Sequence, residues 1–168
     1  LIDVAGYKGL DALPSFYPIS IDDLTGALAK QKTTLRPGDV VLVRTGTLRY
    51  WKDSGADHDT IGAHDSSGLT LESARWLVEE QGAVLIGSDT SGLEYKPHPA
   101  EAKAYAAKYQ SFMPCHNYLL IEQGVHIAEF HYLEDLAAEK VYEFCYVCTT
   151  AKIKGTTAGF TLRPIAMR

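Results

Sequence analysis

The chain has 168 residues, 46% of them hydrophobic and 22% charged, with a net charge of −5 and a pI near 5.6. That balance excludes a disordered chain, and the acidic charge argues against nucleic acid as partner. No apolar run approaches the ~20 residues needed to span a bilayer, and three Cys are too few and too odd in number for a disulfide scaffold, so a reducing, cytoplasmic setting is expected.

In chain order, Leu1 to Ala5 reads as a strand, apolar at Leu1, Ile2 and Val4, broken by Gly6-Tyr7-Lys8-Gly9. It opens without Met, and the chain is expected to continue a longer polypeptide. Pro14 and Pro18 confine residues 10–18 to a loop. Ser20, followed by Asp22 and Asp23, marks a helix start that runs to about Gln31. Arg36-Pro37-Gly38-Asp39 is a turn. Val40 to Arg44 is a continuous apolar run, as in a strand covered on both faces. Residues 51–68, rich in Gly, Asp and Ser, read as a long surface loop. Thr70 opens a second helix that ends at Gly82, and Ala83 to Gly87 is another buried strand. Asp89-Thr90-Ser91-Gly92 lies past its C-terminal end, where α/β sheets tend to bind ligands.

Further along, residues 100–110 read as a third helix after Pro97-His98-Pro99. Tyr118 to Ile121 and Val125 to Ile127 are strand candidates, Leu133 to Ala138 a short helix, and Val141 to Val147 a strand. The alternation of helices and strands predicts one α/β domain over 1–168 with a mixed sheet.

GxGxxG, GxxxxGK[ST] and GxSxG are all absent from the sequence. Cys145 and Cys148 spell CxxC, but within a strand they point to opposite faces, which is wrong for chelation. His116, His126 and His131 are interleaved with Glu122, Glu129 and Glu134, a ligand set suited to Zn, Mn or Fe. His58 and His64, with Asp57, Asp59 and Asp65, form a second hard-ligand cluster or merely a solvated loop. Cys115 beside His116 raises a weaker possibility of thiol chemistry.

Several segments, in order, resemble the cyclase family that includes kynurenine formamidase and isatin hydrolase. They are Leu1-Ile2-Asp3-Val4-Ala5-Gly6-Tyr7-Lys8-Gly9, Gly38-Asp39-Val40-Val41-Leu42-Val43-Arg44-Thr45-Gly46, Gly68-Leu69 to Trp76-Leu77, Ile86-Gly87-Ser88-Asp89, and His116-Asn117-Tyr118-Leu119-Leu120 with Gly124 and Glu129. The resemblance implies a swivelling β/β/α fold, a homodimer or higher homo-oligomer, and hydrolysis of a small cyclic or aryl amide, lactam, lactone or related ester by metal-activated water. It implies a divalent ion, Zn or Mn, with His116 and Glu129 among its ligands, while His126 and His131 map onto no ligand. The family's remaining ligands and its general acid/base histidine come from an HxGTHxDxPxH segment, which would lie upstream of Leu1. The alternative is a binding or scaffold protein that keeps the fold without a complete centre. No cofactor other than the metal is implied.

Overall fold

The computed structural model describes residues 1–52, 55–156 and 159–168. The elements are β1 (Ile2–Asp3), α1 (Val4–Lys8), β2 (Pro18–Ile19), α2 (Ile21–Gln31), β3 (Val40–Arg44), a 3₁₀ turn (Thr47–Tyr50), β4 (Trp51–Lys52), β5 (Gly55–Ala56), α3 (His58–His64), β6 (Gly68–Leu69), α4 (Leu71–Glu79) and β7 (Leu85–Ser88). They continue with α5 (Ala102–Tyr109), α6 (Pro114–His116), a π-helical stretch (Asn117–Gln123), β8 (His126–Ala128), α7 (Glu134–Ala138), β9 (Cys145–Thr150) and β10 (Leu162–Met167).

The central sheet has the order β1-β3-β7-β8 and is parallel throughout, with Val40 opposite Leu85 and Leu85 opposite His126. Antiparallel pairing occurs in separate two-stranded sheets, β9 with β10 and β4 with β5. The sheet is covered on both faces. Val41, Val43 and Ile86 join one cluster with Ile2, Leu24, Leu69, Leu77 and Leu119, while Leu42 faces the opposite way onto Leu1 and Leu133, flanked by Tyr142, Phe144 and Tyr146. Strict alternation of side chains explains this split, and double coverage explains the unbroken apolar run.

Local chemistry sets the helix starts. Ser20 accepts from the Asp23 amide while the Asp23 carboxylate accepts from the Ser20 amide, a full capping box. Thr70 caps α4 through the Ser73 amide.

Four sequence expectations are corrected. The first strand ends at Asp3, because the Asp3 carboxylate accepts from the Gly6 amide at 2.9 Å and starts α1 there. Residues 51–68 are not one loop: Asp57 caps α3 through the Thr60 amide, and β4 and β5 pair antiparallel. Tyr118 to Ile121 is helical rather than extended, since Pro114 opens a helix that runs on through Gln123. The late strand begins at Cys145 rather than Val141, because its ladder to β10 spans Cys145 to Thr150.

Candidate functional site

Glu129 follows the C-terminal end of β8 and Glu94 lies past that of β7, and both carboxylates meet His116. His116 closes α6, a single turn whose first amide in need of a partner, that of Cys115, donates to Glu94 Oε2 at 2.9 Å. The other oxygen of the same carboxylate, Oε1, accepts from His116 Nδ1 at 2.6 Å. Glu94 therefore satisfies a backbone amide of the short helix and fixes the imidazole ring of its last residue with one carboxylate.

Glu94 is itself held by backbone. Leu69 donates to the Leu93 carbonyl at 3.0 Å and accepts from the Tyr95 amide at 2.8 Å, pinning residue 94 against β6. Gly68 allows that approach: a Cβ there would come within 2.5 Å of the Leu93 carbonyl oxygen.

Glu129 follows β8 directly. Its Oε1 lies 3.3 Å from His116 Nε2, so the imidazole bridges two carboxylates. Glu94 is buried and Glu129 is one-third exposed. The hydrogen bond to Glu129, then that to Glu94, raises the His116 pKa to about 9, against a smaller opposing effect of burial. Beside the pair lies a cavity of about 710 Å³, whose wall includes His116, His126, Glu129, His131 and the apolar side chains Leu120 and Phe160.

The structure thus brings together His116 and Glu129, the two residues singled out as ligands, and adds Glu94, which the sequence reading missed. The only signal for Glu94 was an acid a few residues beyond Asp89-Thr90-Ser91-Gly92, past the end of β7. His126 is exposed on the cavity wall and His131 is buried. Glu134 is drawn off to Arg44 at 2.7 Å.

The other candidates separate. His64 Nδ1 contacts the Leu13 carbonyl at 2.7 Å and its ring stacks on Tyr50, while His58 meets Trp51 edge to face. Asp65 pairs with Lys96 at 2.7 Å. The thiol idea fails on burial: Cys115 has no exposed surface, its Sγ donates to the Leu69 carbonyl, and burial pushes its pKa up, away from the reactive thiolate. Cys145 and Cys148 are free thiols three positions apart on β9.

Among the described residues no three His, Cys, Asp or Glu side chains gather into a group able to hold a metal ion. What is present fits part of one. Glu94 keeps a proton on Nδ1, so Nε2, beside a carboxylate oxygen, is the nitrogen that would ligate once its own proton is displaced, the chemistry that carboxylate–histidine–metal sites use.

Comparison with known proteins bears on this geometry. The sequence pattern of the family described as "Putative cyclase" matches residues 1–95, more than half of the chain. A solved structure described as a novel cyclase is 33% identical, covers 99% of this chain and superposes with a TM-score of 0.78. The chain belongs to this cyclase family.

Two isatin hydrolases A share the cyclase fold at lower identity. The enzyme from Ralstonia solanacearum is 19% identical over 84% of this chain, with a TM-score of 0.54. The one from Labrenzia aggregata, solved with benzyl benzoate, is 20% identical over 98%, with a TM-score of 0.56. No curated protein matches. The chain spans about half the length of these cyclase structures, 51%, 49% and 57% respectively. The family pattern stops at residue 95, so His116 and Glu129 lie outside it, whereas the alignment with the 33% identical cyclase covers nearly the whole chain.

Proposed function

We propose that this chain contributes to a metal-dependent hydrolase acting on a small cyclic or aryl amide, or on a related lactone or ester. The observation that carries the reading is the imidazole of His116, oriented on one side by buried Glu94 and facing the Glu129 carboxylate on the other. Family membership and the fold shared with isatin hydrolases support it.

His116 Nε2 and Glu129 would supply two ligands, and the others would come from beyond the described residues. A divalent ion, Zn or Mn, supplies Lewis acidity and an activated water when bound. The chain's own groups prepare the place. Glu94 holds the proton on Nδ1, so the Nε2 proton shared with Glu129 is the one a bound ion would displace; Glu129 contributes anionic charge, and Leu120 and Phe160 line a wall that takes an apolar ring and sheds water.

The two-ligand count favours one rival, a cyclase fold kept for binding with an incomplete centre. Hydrolysis of isatin and of an aryl formamide by the intact protein decides between them. With Zn²⁺ or Mn²⁺ added, turnover is expected, with loss on chelation and a fall of about 100-fold or more in Glu129→Gln. Absence of turnover with either ion, or unchanged turnover in that variant, would leave the binding protein as the better account.

A further inference from the structure

Glu129 is followed by a backbone conformation that its sequence disfavours. Phe130 has φ 53°, in the left-handed region that bulky residues avoid, and its side chain is 55% exposed, so packing of its ring does not offset the strain. The kink is imposed from outside. The Phe130 amide donates to the Thr90 carbonyl at 3.1 Å and the His131 amide to the Ser88 carbonyl at 3.0 Å, both at the end of β7.

A third restraint comes from a side chain. His131 is only 4% exposed, and its Nε2 lies 2.8 Å from the Tyr146 hydroxyl on β9. The two rings lie 5.9 Å apart, and Tyr146 packs against the cluster on that face of the sheet. The other ring nitrogen, Nδ1, is buried without a hydrogen-bond partner. Burying an imidazole with one nitrogen unpaired costs stability that a leucine of similar size would not cost. Its gain is direction: Nε2 ties the segment after Glu129 to a strand outside the central sheet.

We propose that His131 and Tyr146 act as a positioning pair, holding the kink at Phe130 so that the Glu129 carboxylate faces His116. The proposal rests on the metal-centre reading for its consequence but not for its geometry. Without the tie only the two backbone hydrogen bonds to Thr90 and Ser88 hold the kink, so residue 130 relaxes more readily toward ordinary φ, and Glu129, one residue earlier, turns with it. Neither side chain of the pair bonds the Glu129 carboxylate or His116, and the His131 ring meets Glu129 only at its backbone, so both act through the backbone.

The test is Zn²⁺ titration of the intact protein together with amide exchange at Phe130 and His131, in wild type, Tyr146→Phe, His131→Leu, His131→Gln, the Tyr146→Phe/His131→Leu double variant and His116→Ala. The pair predicts that Tyr146→Phe and His131→Leu each weaken Zn²⁺ binding about 10-fold or more, that the double variant is no weaker than either alone, and that His131→Gln, whose amide reaches where Nε2 sat, recovers most of the affinity. Exchange at both amides should accelerate about 10-fold in Tyr146→Phe, the mildest change should His131→Leu fail to fold. Unchanged Zn²⁺ affinity in folded Tyr146→Phe, or losses that add in the double variant, would overturn the pairing. If His116→Ala binds Zn²⁺ as wild type does, it is the metal-centre reading that fails. The pair then stands or falls on amide exchange: acceleration keeps it and unchanged exchange removes it.

Discussion

Asp89 has no exposed surface and accepts from the Thr45 amide, the Thr45 hydroxyl and the Gly46 amide, each within 2.8 Å. Those bonds favour the carboxylate, but burial outweighs them and raises its pKa to about 6. The native state therefore holds a proton between pH ~4 and ~6 that the unfolded chain has released. The stability Asp89 contributes is complete below pH ~4 and is lost as the pH rises through about 6, on the order of 2–3 kcal/mol in all. Asp89→Asn removes this slope and also turns an amide N–H toward a backbone donor. Urea unfolding from pH 4 to 7 should show the wild-type advantage over Asp89→Asn shrinking as pH rises, and an advantage that grows would contradict the assignment. Residue identity was legible unevenly here. His116 and Glu129 stood out because their order within a family-like segment is preserved. Glu94 did not, because it lies 22 positions before His116 and its carboxylate is useful only after β6 and α6 are brought together.

At the scale of elements, the helix caps and the two long parallel strands were readable because their signals are local. Ser20, Thr70 and the runs ending in Arg44 and Gly87 need only their neighbours to be understood, although the second strand proves to span Leu85–Ser88. The stretch Tyr118 to Ile121 was misread because a short apolar run has no decisive period. Its burial settles the matter, with Tyr118 and Leu119 inside and Leu120 and Ile121 largely exposed, a helical rather than alternating pattern. The β6 contact carries its own prediction. Gly68→Ala places a methyl within 2.5 Å of backbone atoms of Leu93 and Glu94, which cannot move aside as a side chain would. A loss of about 1–3 kcal/mol is expected from the forced shift, together with displacement of Glu94 from His116. Thermal unfolding measures the first, and the histidine ring NMR signals of His116 report the second. A variant with wild-type stability and unshifted His116 signals would show that the segment yields more readily than the packing implies.

Across the whole molecule, one buried cation ties separate parts together. Arg44 on β3 reaches Asp3 on β1 at 2.8 Å and Glu134 on α7 at 2.7 Å, and is itself only 6% exposed. Removing it in Arg44→Met leaves buried Asp3 and partly buried Glu134 without their partner, at a cost of about 3–5 kcal/mol. Denaturant unfolding should show that loss, and an unchanged midpoint would mean that water replaces the guanidinium. The same architecture aligns the strand ends so that Glu94 and Glu129 both meet His116, although these residues come from three separate segments of the chain. No helix among the described residues is long and apolar enough to cross a membrane. The central claim is that this convergence is part of a metal centre, and the direct measurement is Zn²⁺ or Mn²⁺ bound per chain in the intact protein, beside His116→Ala and Glu129→Gln. The account predicts binding in wild type and a loss of about 10–100-fold or more in affinity in both folded variants; equal binding in all three proteins would contradict it.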